Sequence, residues 1–338
     1  MSQSIAMAAV RAMHRLIRIA LPGFALMVSA CSEQTITLHG AVQFADSHPY
    51  NQALLKFQEL TKQYYGKPIE FVLHRNSELG LEKDYFAYMN QGISVDYAIV
   101  SPSHMSTFSP AAPMMDMPFL FRDFDHWRKV LDADLLAPIA AQVAERADVM
   151  IIGYAGGGVR NLIVNRPVRN MNELKGLKMR VMGAPIQTQT FQALGAAPTV
   201  IAYAEVYNAI QTGVIDAAEN EAFGIEQMKF YEVGPYISQT AHTISVRPLC
   251  FSGKTFKRLP ADLQAAILRA GKEAGVFARE LEASGSRSLL ERMNAEGKLK
   301  LIDFRDRDKL LELSAPVRAA YAKEIGAQDI YARIEAAK

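Results

Sequence analysis

Apolar and polar positions in the first half of the chain alternate between two periodicities. Short runs rich in β-branched and aromatic residues have the period of strands, and the stretches between them place apolar side chains every three or four residues, as amphipathic helices do. The predicted strands are 35–41, 69–73 and 97–100, and the predicted helices are 50–65 and 82–90. This order predicts a βαβαβ unit, which builds an open parallel sheet with helices on both faces.

A similar pattern returns after a run of three glycines, Gly156 to Gly158. Before this run we predict a helix at 125–146 and a strand at 149–154. The elements predicted after it are strands at 177–182, 214–217 and 243–251, helices at 187–194 and 204–212, and a long helix at 260–297 interrupted at 284–286. Glycine frees the backbone from the limits that a Cβ imposes, so the run favours a hinge or a crossing from one lobe to another.

The two series predict an α/β fold with two lobes. Each lobe is expected to be an open sheet flanked by helices, and the long helix is expected to span both lobes. Lobe I is expected to comprise 33–154 plus about 243–285, and lobe II 155–242 plus about 286–338. About three hundred residues is a natural length for two such domains.

The first thirty residues have the pattern of an export signal. Arg11, Arg15 and Arg18 precede an apolar run at 19–30, which is shorter than the roughly 20 residues that a membrane-spanning helix needs. Cleavage of the signal peptide 1–30 is expected before Cys31, either at an ordinary signal-peptidase site or at a lipobox that makes Cys31 the acylated residue. Both interpretations predict a periplasmic protein, and the second adds a lipid anchor.

Charge and composition exclude several classes of function. The formal net charge is +2, and the three arginines of the signal account for it, so that residues 31–338 sum to −1. Without a basic block, nucleic acid is not expected as a partner. Cys250 is the only cysteine besides Cys31, which excludes a disulfide framework. The common hydrolase, metalloprotease and phosphate-loop motifs are missing and the seven histidines are scattered, so we expect neither an enzyme nor a metal or cofactor.

Polar and cationic side chains are predicted near the carboxyl ends of strands, where open α/β sheets bind ligands. The candidate ligand contacts are Arg180, Asn220, Arg160, Glu78, His48 and His242. Alternation in 177–182 places Arg180 on the face opposite Met179 and Val181. A planar guanidinium holds a carboxylate through two parallel N–H bonds, so these residues predict that the protein holds a small organic acid.

Each candidate also has a structural interpretation. Arg180 has the pattern of a surface residue or of a partner for a neighbouring carboxylate. His48 precedes Pro49 at a helix entrance and fits a capping role, whereas Glu78 fits the positive end of the following helix. Asn220 fits a turn. Composition and spacing alone leave these alternatives open.

Four motifs follow one another in a characteristic order. They are NSELG at 76–80, MPFLFRD at 117–123, NRPV with NELKGLKMRV at 165–181, and YAEVYNAIQTGVID with a following EN pair at 203–220. Together they resemble the DctP family, the solute-binding subunits of TRAP (tripartite ATP-independent periplasmic) transporters. The resemblance covers essentially the whole chain after the signal.

The resemblance implies a periplasmic-binding-protein-like fold, no catalysis, and TRAP membrane subunits as partners. It also implies that Arg180 forms the main salt bridge to the ligand carboxylate, that Arg160 is a supporting cation, and that Asn220 adds a hydrogen bond. A monomer is expected.

The expected ligand is a hydroxylated monocarboxylic acid, best a hexuronate such as glucuronate or galacturonate. Glu78, His48 and His242 offer polar partners for hydroxyls, and a carboxylate side chain would repel a second ligand carboxylate. Two other functions stay open: a ligand sensor that presents its closed form to a receptor, and a periplasmic hydrolase or lyase acting on an acid sugar.

Overall fold

The computed structural model describes residues 35–337; the predicted signal peptide and Cys31 lie outside this range. Its strands are β1 Ile36–Ala41, β2 Ile69–His74, β3 Tyr97–Ile99, β4 Val149–Val164, β5 Lys178–Val181, β6 Ala197–Val200, β7 Ala217–Asn220, β8 Tyr236–Ser252 and β9 Lys300–Asp303. Its helices are α1 Pro49–Tyr65, α2 Glu82–Gln91, α3 Phe124–Asp132, α4 Ala137–Ala147, α5 Met171–Leu174, α6 Pro185–Ala193, α7 Val206–Gln211, α8 Ala222–Gln227, α9 Phe230–Val233, α10 Gly253–Phe256, α11 Ala261–Ala295, α12 Arg307–Glu324 and α13 Gln328–Ala336.

Within residues 35–337 the strands form one sheet in the order β2-β1-β3-β8-β4-β7-β5-β6, and β9 also pairs with β8. Strand β1 is parallel to β2 and β3, which confirms the predicted βαβαβ unit, and β5 is parallel to β6 and β7. The long strands β4 and β8 are antiparallel and join these two parallel units. The end of β8 pairs with β3, whereas the end of β4 pairs with β7.

The predicted long helix is confirmed. Leu263 and Ile267 of α11 belong to an apolar cluster beside β1 and α1, and Leu289 and Met293 belong to another beside β7 and α8. The helix therefore packs against both halves of the sheet. None of the helices in the described residues is both long and apolar enough to cross a membrane.

Strand β4 continues through the glycines as a bulged strand. Its pairing with β8 shifts between Gly156 and Val159, and Gly156 and Gly157 have φ angles of +111° and +106°, a region that favours glycine. The predicted interruption of the strand is therefore a β-bulge in the structure. Gly275 of α11 lies so close to β4 that an added Cβ would be 2.7 Å from the backbone N of Tyr154.

Four further predicted elements differ from the structure. The strand predicted at 243–251 begins earlier, at Tyr236. The single helix at 125–146 is wrong, since α3 and α4 are separated by a turn in which Asp134 has a φ of +51°. The interruption of the long helix at 284–286 is also wrong, because the hydroxyls of Ser284 and Ser286 bond back to helix carbonyls. Strand β7 begins at Ala217, so Glu219 and Asn220 lie within it rather than beyond it.

The lobe boundaries stay a prediction. The residues assigned to lobe II include α12 and α13, yet Tyr321 and Ile334 pack in one apolar cluster with Trp127 and Val130 of α3. The C-terminal helices α12 and α13 therefore pack against α3, which belongs to the residues assigned to lobe I.

Candidate ligand-binding site

A narrow cavity of about 20 Å³ lies among side chains from both parts of the sheet. It is lined by Gln43, Phe44, Tyr50, Glu82, Ser101, His104, Arg160, Arg180, Met182, Tyr203, Asn220, Glu221 and Arg247. Three of these are arginines that are at most 5% exposed. The cavity is therefore a buried, polar space whose lining contains three arginines and two glutamates.

Arg180 is a buried cation without an acidic hydrogen-bonding partner among the described residues. Its Nε donates to the carbonyl of Ile201 at 3.0 Å, and its guanidinium lies over the ring of Tyr203, 5.6 Å from the centroid. The two terminal nitrogens form no hydrogen bond within residues 35–337. Burial lowers the pKa of Arg180, but a guanidinium stays charged.

Arg160 has a different environment, although it lines the same cavity. Its Nε and Nη2 donate to the two carboxylate oxygens of Glu219, the second at 2.9 Å, and Nη1 donates to Oδ1 of Asn220 at 2.8 Å. Asn220 in turn donates from Nδ2 to the hydroxyl of Tyr203 at 2.7 Å. The charge of Arg160 is therefore neutralised by the protein.

His242 lies behind this ion pair. Its Nε2 is 3.3 Å from Oε2 of Glu219 and its Nδ1 is 2.8 Å from the hydroxyl of Thr240. Burial alone would raise the pKa of Glu219, but the charge of Arg160 and the bonds from His242 and Arg160 hold it well below its usual range. His242 does not line the cavity and supports Glu219 instead.

Arg247 is the third arginine of the cavity. Its Nε donates to the hydroxyl of Tyr50 at 3.1 Å, and its Nη1 is 3.6 Å from Oδ2 of Asp116. That distance is too long for a hydrogen bond, and Nη1 is buried without one. Asp116 instead accepts from the hydroxyls of Ser101 and Ser103 at 2.9 and 3.3 Å.

Glu82 at the start of α2 brings a carboxylate to the cavity. One oxygen accepts from Nε2 of Gln43 at 3.1 Å and the other from the backbone N–H of Ser101 at 2.6 Å. No arginine, lysine or histidine of the described residues pairs with it. His104 completes this part of the lining, where burial and then the charge of Arg180 lower its pKa to about 3, so it is neutral.

The structure places two further candidates away from the cavity. His48 caps α1 by accepting from the N–H of Tyr50 at 3.1 Å, and its Nε2 is 3.7 Å from Glu221. Its ring stacks on Phe44 with centroids 3.8 Å apart. The side chain of Glu78 is 62% exposed and pairs with His74 at the surface.

The cavity thus joins Arg180, Arg160 and Asn220 of the candidates, and adds residues that sequence reasoning missed. Glu82, Glu221 and Arg247 are the charged residues among these. Arg247 lies in the predicted strand 243–251, where an isolated arginine gave no signal of ligand contact. Glu82 begins a predicted helix, where an acidic residue is common because of the helix dipole.

A mixed sheet with two parallel units around a buried cavity that holds an unneutralised cation is the arrangement expected of a solute-binding protein of the periplasmic type. Residues 40–324 match the model of the bacterial extracellular solute-binding protein family 7, DctP. The chain belongs to this family, the periplasmic solute-binding proteins of TRAP transporters. The predicted family, α/β fold and lack of enzymatic function are confirmed.

Known relatives are similar over most of their length. A solute-binding protein of Sulfitobacter sp. (strain NAS-14.1) is 52% identical over 312 residues, which cover 92% of this chain and 94% of that protein. A crystal structure of a TRAP periplasmic solute-binding protein from Sulfitobacter sp. NAS-14.1 with bound α-D-taluronate superposes with a TM-score of 0.88 and 53% sequence identity. The match covers 89% of this chain and 97% of the chain in that crystal structure. The corresponding protein from Citrobacter koseri with bound D-glucuronate has a TM-score of 0.83 and 27% identity, with coverages of 89% and 99%.

Proposed function

We propose that this protein captures a hexuronate in the periplasm and delivers it to the membrane subunits of a TRAP transporter. The observation that carries the proposal is Arg180, a buried cation in a polar cavity whose terminal N–H groups bind no described protein group. A ligand carboxylate accepts two parallel N–H bonds from such a guanidinium. The relatives that bind taluronate and glucuronate support a sugar acid as the class of ligand.

The roles of the three arginines differ in this proposal. Arg180 binds the carboxylate, while Arg160 is held by Glu219 and keeps one N–H of Nη1 for the same ligand. Asn220 orients Arg160 and Tyr203 through hydrogen bonds, and the guanidinium of Arg180 packs on the ring of Tyr203. His242 acts through Glu219.

Closure around the ligand follows from the position of the cavity between the two halves of the sheet. In this proposal the lobes move about β4, β8 and the bulge at Gly156 and Gly157, and closing excludes water from the charged bonds. The closed form is the one that the membrane subunits receive. The protein acts as a monomer, and lipid on Cys31 would keep it at the membrane surface.

The test is a binding measurement on the mature protein with Cys31 replaced by Ser. Isothermal titration with D-glucuronate, D-galacturonate, D-taluronate, succinate and pyruvate compares the wild type with Arg180→Met. Two lost charge-assisted bonds correspond to roughly a 100-fold loss of affinity or more. Lys178→Met is the matched control, because Lys178 lies two residues before Arg180 on β5, is exposed and does not line the cavity.

We expect one hexuronate to bind to the wild type and to Lys178→Met with the same affinity, and to lose binding in Arg180→Met. The melting temperature of ligand-free Arg180→Met should not fall, since the change removes a desolvated charge. A wild type that binds no uronate, or an Arg180→Met variant that binds normally, overturns the proposal.

A further inference from the structure

Arg247 is a second cation with free N–H groups in the cavity, and it lies on a different wall from Arg180. Arg180 on β5 packs over Tyr203, whereas Arg247 on β8 packs over Tyr50, 5.9 Å from the ring centroid. Only its Nε makes a hydrogen bond, to the hydroxyl of Tyr50, within the described residues. Both terminal nitrogens are left for another partner.

Asp116 does not satisfy this guanidinium. The separation of 3.6 Å between Nη1 of Arg247 and Oδ2 of Asp116 gives charge attraction without a hydrogen bond. Oδ2 is already shared by Ser101 and Ser103, and Oδ1 is buried without a partner. A buried N–H without an acceptor costs free energy, and a ligand oxygen in the cavity removes that cost.

The acids and bases around Arg247 determine what that oxygen can be. The charge of Arg247 is stabilised by three groups: Asp116 from the segment before α3, Tyr50 from α1 and Glu82 from α2. Glu282 of α11 accepts a hydrogen bond from the hydroxyl of Tyr50. A second ligand carboxylate here would approach Glu82 and Asp116. A hydroxyl is different, because its oxygen accepts from Arg247 while its O–H donates to a free lone pair of Glu82.

We propose that Arg247 is a specificity-determining residue, which donates to hydroxyl oxygens of the ligand remote from its carboxylate, and that Tyr50 positions it. This inference rests on the proposed function, and it deepens that function by naming the feature of the ligand that is selected. The selected acid has hydroxyls at the Arg247 wall, so a polyhydroxy monoacid is preferred to a short acid or to a diacid of equal length.

The test measures dissociation constants by titration calorimetry for wild type, Arg247→Met and Arg247→Lys. The probes are D-glucuronate, its 2-, 3- and 4-deoxy analogues, and the diacid D-glucarate. Arg247→Met should weaken D-glucuronate roughly 10- to 100-fold, the effect of losing one or two charge-assisted bonds. One deoxy analogue should bind to wild type and Arg247→Met alike, because it lacks the hydroxyl that Arg247 contacts.

Arg247→Lys keeps a positive charge beside Asp116 and guards against a failure of Arg247→Met to fold. It should still lose affinity for D-glucuronate, since an ammonium cannot reproduce two N–H groups in a plane. Tyr50→Phe removes the acceptor of Nε and should weaken D-glucuronate less than Arg247→Met while leaving the same deoxy analogue unaffected. That selectivity separates positioning from a general loss of stability.

Arg279→Met is the control for replacing a largely buried arginine. Arg279 lies 5.8 Å from the ring centroid of Trp127 and pairs with Asp132 at 3.3 Å, but it does not line the cavity. The Arg279→Met variant should bind D-glucuronate and the other probes with the affinities of the wild type.

The inference is overturned if Arg247→Met loses affinity equally for every deoxy analogue. It is also overturned if the wild type binds D-glucarate more tightly than D-glucuronate. In both cases the proposed function stands. If the wild type binds no uronate at all, the proposed function and this inference fall together. The two failures are therefore distinguishable.

Discussion

Arg160 and Glu219 lie on the adjacent antiparallel strands β4 and β7, and the guanidinium of Arg160 donates to both oxygens of the Glu219 carboxylate. Both side chains are at most 2% exposed. The pair uses most of the hydrogen-bonding capacity of Arg160 and leaves Arg180 as the cation that a ligand must neutralise. The neutralised Arg160 therefore shares the cavity with Arg180 and Arg247, whose terminal N–H groups form no hydrogen bond within the described residues.

Removing the charge of Glu219 should destabilise the protein strongly. Glu219→Gln leaves the buried Arg160 without a counter-charge, for which a loss of about 3–5 kcal/mol in the free energy of unfolding is expected. Urea denaturation of the ligand-free protein measures it. The control is Glu173→Gln, which breaks the half-exposed pair with Arg169 and should cost less than about 1 kcal/mol. Similar losses in both variants would contradict a special role for the buried pair.

Glu282 should make the stability depend on pH. It is fully buried on α11, and burial and then the charge of Glu221 raise its pKa to about 8 from an ordinary 4.5. Between these values the folded protein keeps a proton that the unfolded chain has lost, so stability falls as pH rises from about 4.5 to about 8. Glu282→Gln should flatten this part of the profile of melting temperature against pH.

The control for that profile is Glu280→Gln on the exposed side of the same helix. It should reproduce the wild-type slope. A Glu282→Gln profile parallel to that of the wild type would show that Glu282 ionises in the folded protein as it does in the unfolded chain.

The close approach of α11 to β4 depends on a glycine. A Cβ at position 275 would lie 2.7 Å from both the N and the O of Tyr154, and neither backbone atom can move without displacing the strand. Gly275→Ala should therefore destabilise the protein by about 1–3 kcal/mol, despite the better helix propensity of alanine. Thermal unfolding followed by circular dichroism measures it, and Ser284→Ala on the exposed side of α11 should change little. A more stable Gly275→Ala protein would mean that α11 is free to shift.

The ring of Tyr203 should matter more for ligand affinity than its hydroxyl. Tyr203→Phe keeps an aromatic face under Arg180 and loses only the bond from Asn220, so a loss of less than about 5-fold in affinity for D-glucuronate is expected. Tyr203→Leu removes the face and should lose roughly 10-fold. Titration calorimetry of both variants decides the order, and equal losses would assign the effect to the hydroxyl.

Much of the fold follows from local pattern. The helix at 49–65 and the strands β1, β2 and β5 are confirmed within one or two residues, because each has a strong periodicity and a clear end such as Gly66. The strands β6 and β9 were missed, since each has four residues of mixed polarity at the surface. Serine hydroxyls in α11 satisfy carbonyls of the helix itself, which composition alone cannot show.

For the site, the sequence by itself determined the chemistry and the family. The KGLKMRV and EN motifs identify a solute-binding protein that holds an acid, because those residues carry the charge and the hydrogen bonds whatever their partners are. Only the tertiary structure decided which groups are free. Glu219 neutralises Arg160 because the register of β4 and β7 pairs residues about sixty positions apart in the sequence. Arg247 enters the cavity because β8 runs through both halves of the sheet. Glu78 lies outside the cavity because it pairs with His74 at the surface, and His48 lies outside it because it caps α1. Charge is a property of a residue, but its neutralisation is a property of the contacts that folding creates.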